Sequence, residues 1–304
     1  MKIFHYDHIT FPLPDGHRFP VEKYALLRKR VAQDDLFSGA ELRVPAPATK
    51  AHLLKAHTAE YIDRVLNGRL SPAEIRRIGL PWSPELVARV RYSVGATTAA
   101  CRTALREGIA VTLGGGTHHA CRDAGQGFCV FNDVMVAVRV MQAEGRIRRA
   151  LVVDCDVHQG NGTAEIARDD DTVFTFSIHG EKNFPFRKIP GDLDIGLPDN
   201  TGDTAYLAAL RTGLEEALAL AQADLIVYLA GADVYEHDRL GRLALTKAGI
   251  AARDRLVFDR RQQANLPIAV TMAGGYGRII QETVDIQFQT VKTAWEQWRK
   301  LAHP

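Results

Sequence analysis

The sequence predicts an α/β fold in which a mainly parallel β-sheet carries helices on both faces. From residue 109 onwards, short apolar runs rich in β-branched residues alternate with longer amphipathic segments, which is the pattern of strand–helix–strand units. Right-handed crossovers between such units place helices on the two faces of the sheet. With 304 residues, 46% of them hydrophobic, the chain can bury the core of one large domain of this kind or of two small ones.

The first hundred residues are expected to contain two short strands and three helical stretches. Short strands are expected near the N-terminus and over 42–44, and helices over 21–32, over the amphipathic stretch 50–66, and from Ser83 to about Glu107. The last of these begins with an N-cap serine, a proline at the first helical position and an acid in the first turn, and Gly108 ends it.

The remaining elements alternate, and polar segments follow the strands directly. Strands are expected over 109–113, 149–154, 172–178, 224–230 and 267–272, and helices over 131–144, 203–222, 246–265 and 278–299. The polar segments are GGGTHH at 114–119, DVH at 156–158, HG at 179–180, GAD at 231–233 and GGY at 274–276. Since ligands bind beyond the carboxyl ends of parallel strands, these segments are predicted to form one site.

Composition narrows the classes of function. The chain has 38 Lys and Arg residues and 36 Asp and Glu residues. The resulting net charge of +2 does not indicate non-specific nucleic-acid binding. The four cysteines lack C-x-x-C spacing and indicate reduced thiols in a cytoplasmic protein. The first 20 residues lack the apolar run of a signal peptide, and no stretch approaches the roughly 18 apolar residues of a membrane span.

The segment LVVDCDVHQGNGTA at 151–164 indicates a metal site. An apolar strand leads into Asp154, Asp156 and His158, which project from one face because strand side chains alternate. Two carboxylates and an imidazole suit Zn²⁺, Fe²⁺ or Mn²⁺. A bare D-x-D-x-H could equally be a strand end whose polar groups only form hydrogen bonds. Asp233, at another strand end, supplies a third ligand for an open, catalytic type of site.

Three further residues suggest acid–base chemistry beside this metal. His118 and His119 can act as a base for water and an acid for a leaving group, and Tyr276 can donate to a developing oxyanion. Together with a metal they predict an amide or ester hydrolase that forms no covalent intermediate. Taken singly, Tyr276 is more often a packing residue and His179 a structural one. His52 and His57 are expected to be surface residues.

The motifs GGGTHHA, GFCVFND, VDCDVHQGNGTA, YLAGADVYEHDRLGRLALT and AGGYGR resemble those of the zinc-dependent histone deacetylase superfamily, with its arginase–deacetylase fold. GGGTHHA, DVHQGNGTA, NFPFRK and DRLGRLALT look most like the class IV branch and its bacterial relatives. The resemblance runs from GHRFP near residue 16 to the last helix. It implies one histone deacetylase-like catalytic domain over 1–304, with an acyl-lysine protein or peptide as substrate.

The resemblance also implies roles for particular residues. Asp156, His158 and Asp233 match the zinc ligands, His118 and His119 the histidine pair, and Tyr276 the tyrosine that polarises the amide carbonyl. Asp154 matches the carboxylate behind His118, and Asn161 stands behind His119 where class I members have aspartate. A structural K⁺ is implied near Asp154 and Ser177. Residues expected to line the acyl-lysine tunnel are Gly127, Phe128, Phe184, Phe186 and Leu240.

Other functions remain open at this point. A small acylated amine, such as an acetylated polyamine, would use the same catalytic centre but calls for an acidic rim and an insertion that narrows the mouth. A dinuclear manganese ureohydrolase shares the fold, yet the chain has only one D-x-D-x-H. An inactive acyl-lysine binding module is disfavoured because all three ligands, both histidines and Tyr276 are present. The aspartate with which class I enzymes grip the substrate backbone is not recognisable.

Overall fold

A computed structural model describes residues 1–302 and confirms the α/β class. Within these residues eight strands form one sheet in the order β2-β1-β3-β8-β7-β4-β5-β6, and every neighbouring pair is parallel. The strands are β1 (Lys2–Phe4), β2 (Glu41–Arg43), β3 (Ile109–Thr112), β4 (Ala150–Asp154), β5 (Val173–Gly180), β6 (Leu193–Leu197), β7 (Leu225–Leu229) and β8 (Ile268–Thr271).

Ten α-helices connect and flank these strands in the described part of the chain. They are α1 (Glu22–Gln33), α2 (Lys50–Leu53), α3 (Ala59–Leu66), α4 (Pro72–Ile78), α5 (Pro84–Glu107), α6 (Asp133–Ala143), α7 (Asn161–Ala167), α8 (Asp203–Ala221), α9 (Lys247–Gln263) and α10 (Ile280–Ala302). None of them, within residues 1–302, is long and apolar enough to cross a bilayer.

Each face of the sheet buries its own apolar core. On β4, Leu151 and Val153 join the core that includes side chains of α1, α8, α9 and α10, whereas Val152 joins the core that includes α3, α5 and α6. This alternation puts helices on both faces, as the sequence predicts. Burial of the central strands on both sides explains why they are continuous apolar runs.

One predicted helix needs correction, and two elements were not predicted. The helix expected over 50–66 is two helices, α2 and α3, because Thr58 caps a new helix after the break. Helix α4 was not predicted from the sequence, although Ser71 and Glu74 form a capping box at its start. The edge strand β6 was also missed, since only its last residue is buried.

His57, expected at the surface, is buried at this break. Its Nδ1 donates to the carbonyl of Cys121 at 3.0 Å, and its Nε2 accepts from the amide of Asn132 at 2.9 Å. The imidazole therefore joins the α2–α3 break to the segment that leads into α6.

Candidate active site

The carboxyl ends of the central strands meet around one cavity of about 660 Å³. It opens above β3, β8, β7 and β4, which are consecutive neighbours in the sheet. The glycine-rich loop after β3 and the segments that follow β4, β7 and β8 supply its polar floor. All the segments predicted to converge, apart from the His179 turn, thus contribute residues to this cavity or to the metal cluster beneath it.

Asp156, His158 and Asp233 form a buried cluster of possible metal ligands. One ligand atom from each lies within 4.8 Å of the others. His158 Nδ1 is 2.9 Å from Asp156 Oδ1 and 3.3 Å from Asp233 Oδ2. Alternation persists beyond β4, because Cys155 and Val157 point into the opposite core.

Backbone amides donate hydrogen bonds to these carboxylates, and one carboxylate oxygen is left without a donor. The amide of Gly274 donates to Asp156 Oδ2 at 2.7 Å, and that of Val157 donates to Asp233 Oδ1 at 3.0 Å. Asp233 is fully buried, yet its Oδ2 has no hydrogen-bond donor in the structure. An unpartnered buried carboxylate oxygen that faces an imidazole nitrogen fits a metal ligand. Gly274 is required here, since a Cβ would lie 1.9 Å from Asp233 Oδ2.

The electrostatics of the cluster favour a bound cation. Burial and the neighbouring Asp156 raise the pKa of Asp233 to about 7. Burial opposes charge on His158, but its close contacts with the carboxylates of Asp156 and Asp233 outweigh this effect and raise its pKa to about 10. Burial likewise favours neutral Asp156, yet His118 and His158 hold its pKa well below the usual range. A divalent cation would stabilise both carboxylates and take the place of the imidazole proton.

The paired histidines lie beside this cluster with different partners. The centroids of the two imidazole rings are 4.1 Å apart. His118 Nδ1 donates to Asp154 Oδ2 at 2.6 Å, and His119 Nδ1 donates to Asn161 Oδ1 at 2.7 Å. Both Nε2 atoms are therefore left for other partners.

These partners separate the two pKa values. Burial disfavours the charged form of His118, but Asp154 and Asp156 outweigh it and raise its pKa to about 9. Burial and the charges of His118 and His158 lower the pKa of His119 well below its ordinary value, and the amide of Asn161 compensates little. One histidine is thus biased towards the cation and its neighbour towards the neutral base.

Tyr276 and several apolar side chains form the walls above. The ring centroids of Tyr276 and Phe128 are 5.8 Å apart. Phe184 packs edge-on against His119, with 4.9 Å between the ring centroids. Burial and the carboxylates of Asp156 and Asp233 raise the pKa of Tyr276 well above its usual value, so its hydroxyl stays a donor. Phe128 takes a left-handed φ of 66°, held by a 2.7 Å bond from its amide to the carbonyl of Ile78.

The other residues predicted from the sequence lie either along the cavity or on the strand next to Asp154. Gly127 and Leu240 line the cavity, while Phe186 reaches its outer edge and is 88% exposed. Ser177 is the register partner of Asp154 on the neighbouring strand, and its hydroxyl is 3.0 Å from His179 Nδ1. Burial lowers the pKa of His179 to about 4.

Four buried residues that the sequence analysis did not single out position the site. Asp133 accepts from the amides of Gly116 and Thr117 and so fixes the loop that carries the histidine pair. Asp238 accepts from the amides of Tyr276, Leu240 and Gly241. The other two are Asn183, which joins the Phe184 loop to the Leu240 carbonyl at 2.8 Å, and Lys23, which donates to the Gly275 carbonyl at 3.1 Å.

Comparison with known proteins gives the family. Residues 17–290 match the family described as the histone deacetylase domain. The chain is a member of the histone deacetylase family. An uncharacterized protein of Picosynechococcus is 43% identical over 93% of this chain and 94% of its own length. Histone deacetylase 2 of Arabidopsis thaliana is 30% identical over 88% of this chain and 73% of the relative.

Two further comparisons agree with this family membership. The histone deacetylase-like amidohydrolase of Pseudomonas aeruginosa is 29% identical over 87% of this chain and 74% of its own. A solved structure of a histone deacetylase homologue in complex with SAHA covers 96% of this chain and 83% of its own, with a TM-score of 0.82 at 24% identity. That likeness bears on the fold, and the family places the Asp156–His158–Asp233 cluster in an amidohydrolase.

Proposed function

We propose that this histone deacetylase family member is a zinc-dependent lysine deacylase, which hydrolyses the amide between an acyl group and a lysine side chain. The observation that carries the proposal is the meeting of the metal cluster, the histidine pair and Tyr276 on one apolar-walled cavity. We further propose that residues 1–304 act as one catalytic domain in the cytoplasm. Free, unpaired cysteines support that location.

Zn²⁺ fits the cluster because two carboxylates and one imidazole leave a coordination position open, although Fe²⁺ would accept the same donors. When bound, the ion supplies Lewis acidity to the acyl carbonyl and makes the attacking water easier to deprotonate. Asp156, His158 and Asp233 would hold it. A structural K⁺ is proposed nearby, supported by the pairing of Asp154 with Ser177 on adjacent strands.

His119 serves as the general base in this proposal. Its Nδ1–H is committed to Asn161, so Nε2 carries the lone pair that removes a proton from water. The low pKa keeps this nitrogen unprotonated at neutral pH. The same proton can then pass from His119 to the leaving lysine amine. His118, held as a cation by Asp154, would orient the water.

Tyr276 and the apolar walls complete the reaction site. The tyrosine hydroxyl donates to the carbonyl oxygen as negative charge develops there, which is the interaction that most lowers the barrier in acyl transfer. Phe128, Phe184 and Leu240 form walls that suit the aliphatic stem of an acyl-lysine. Phe186 lies too far out for the stem and would contact residues that flank it.

A small acylated polyamine is the weaker candidate substrate. A polycation calls for carboxylates around the mouth, whereas among residues 1–302 the only acidic one that lines the cavity is the metal-cluster residue Asp156. The mouth instead carries cationic side chains, which would repel a polyamine.

The test is turnover by the zinc-loaded protein on lysine peptides that bear acetyl through long-chain acyl groups, with acetylated polyamines in parallel. We expect at least one peptide series to be hydrolysed, and Asp156→Ala to lose both bound zinc and turnover. Asp171→Ala, at an exposed carboxylate, is the matched control and should keep both. Binding of acyl-lysine without turnover would make the protein a binding module and contradict the proposal.

A further inference from the structure

The mouth of the cavity is lined by cations that have no acidic partner. Arg18, Arg77, Lys182 and Arg239 all border the cavity and are exposed, and none of them forms an ion pair within the described residues. We call these four the mouth cations. Arg242 also borders the cavity, but Asp199 neutralises it at 3.0 Å.

The mouth cations come from four separate segments that all border the cavity. Each segment also supplies the tunnel wall or its support. Arg18 precedes Phe19, whose ring packs 5.6 Å from Phe128, and Lys182 lies two residues before Phe184. The carbonyl of Arg77 accepts from Gly127, and Arg239 precedes Leu240 in sequence.

Two of the guanidinium groups are held in place without loss of charge. Arg77 Nε donates to the carbonyl of Gly125 at 3.2 Å, and Arg239 Nε donates to the carbonyl of Tyr276 at 3.1 Å. A carbonyl fixes the orientation of a guanidinium but leaves its positive charge uncompensated. The remaining N–H groups are free to bind a carboxylate in a bidentate manner.

This concentration of charge is local. The whole chain has a net charge of only +2. The acids Asp15 and Glu22 lie in an adjacent groove that also includes Arg18 and Arg239, yet neither forms an ion pair with them. Because a net charge of +2 does not indicate a nucleic-acid binder, a peptide whose carboxylates flank the tunnel fits the mouth better than a polyanion.

We propose that the mouth selects acyl-lysine residues flanked by aspartate or glutamate and discriminates against lysines in Lys- or Arg-rich segments. This inference rests on the proposed deacylase function and names its substrate class. Carboxylates of residues next to the acyl-lysine would lie at the mouth, where these unpaired cations can bind them. Like charges at the same positions would be repelled.

The experiment compares kcat/KM on three peptides that carry the same acyl-lysine with acidic, neutral or basic flanks. We expect at least about a tenfold preference for acidic over basic flanks, expressed mainly in KM and falling towards unity in 1 M salt because the contacts are exposed. The variant Arg18→Gln/Arg77→Gln/Lys182→Gln should reduce the preference severalfold. Arg76→Gln, an exposed arginine on α4 that does not line the cavity, is the matched control and should keep it.

The outcomes separate the two proposals. Equal kcat/KM for acidic and basic flanks, a preference that salt does not change, or an unchanged preference in the triple variant would overturn the acidic-substrate inference while the deacylase proposal stands. Failure of all three peptides, with zinc bound, would instead count against the deacylase function itself.

Discussion

His118 and His119 are consecutive residues with touching rings, yet the side chains behind them differ by one charge. Asp154 is a carboxylate and Asn161 a neutral amide, at nearly equal distances from the two Nδ1 atoms. Burial acts on both imidazoles in the same direction, so the partner decides which histidine carries a proton. The different roles of the two histidines therefore follow from the residue behind each ring, Asp154 or Asn161.

The first prediction concerns this partner. Asn161→Asp places a carboxylate 2.7 Å from His119 Nδ1 and should raise the pKa of His119. Since the neutral imidazole is the base, a higher pKa moves the acidic limb of the kcat/KM profile to higher pH. Profiles of the zinc-loaded variant and of an exposed control, Asn200→Asp, measure the shift.

The same division predicts unequal effects in the two alanine variants. His119→Ala should lose on the order of 10²–10⁴ in turnover, because it removes the base, and His118→Ala should lose less. Both variants should keep bound metal. An acidic limb that does not move in Asn161→Asp, or a greater loss in His118→Ala, would contradict these roles.

Tyr276→Phe tests the oxyanion donor. The phenyl ring preserves the contact with Phe128, while loss of the hydroxyl should lower kcat by about 10²–10³-fold. Zinc content and the melting temperature measured beside turnover distinguish a lost donor from a lost fold. Near wild-type kcat would make Tyr276 a packing residue.

At the scale of elements, the buried strands could be predicted and the peripheral elements could not. The five strands expected from residue 109 onwards agree with the structure within two residues at each end, because burial on both faces makes them continuous apolar runs. The edge strand β6 has its alternate residues exposed and carries no such signal. The ligands were visible in sequence because they directly follow strands. Lys23, Asp133 and Asp238 act through bonds to distant backbone groups, which local sequence does not reveal.

His57 illustrates a long-range contact that also makes stability depend on pH. Burial lowers its pKa to about 4, and its two hydrogen bonds require the neutral ring. Between pH 6.5 and pH 4, His57 is therefore protonated in the unfolded chain but neutral in the folded chain. This contribution to the free energy of unfolding is present above pH 6.5 and is lost as pH falls towards 4, by up to about 3 kcal/mol.

Urea unfolding of wild type and His57→Gln at pH 7 and pH 4.5 measures this effect. The variant should be less stable at pH 7, and the difference between the two proteins should shrink at pH 4.5. His8→Gln, at an exposed histidine, is the control and should follow wild type at both values. A constant difference between wild type and His57→Gln would show that folding does not shift the pKa of this imidazole.

For the whole molecule, the parallel sheet gathers two buried carboxylates at one edge. Asp156 and Asp233 lie between 0 and 1% exposed, beside each other and His158. Without a cation, burial and the charge of Asp156 disfavour ionised Asp233, which the raised pKa of Asp233 reflects. The buried carboxylates therefore lower the free energy of unfolding, and a bound cation should raise it.

The last prediction follows from this coupling. Zinc at 100 times its Kd should stabilise the native state by about 2.7 kcal/mol, which corresponds to a rise in Tm on the order of 5 °C for a chain of this size. Chelation should reverse the rise. Asp233→Asn keeps the acceptor for the Val157 amide and removes one buried charge, so in chelator its Tm should equal or exceed that of wild type. Added zinc should then leave the variant's Tm unchanged. A variant that is destabilised in chelator and still responds to zinc would show that Asp233 supports the fold and does not bind the metal.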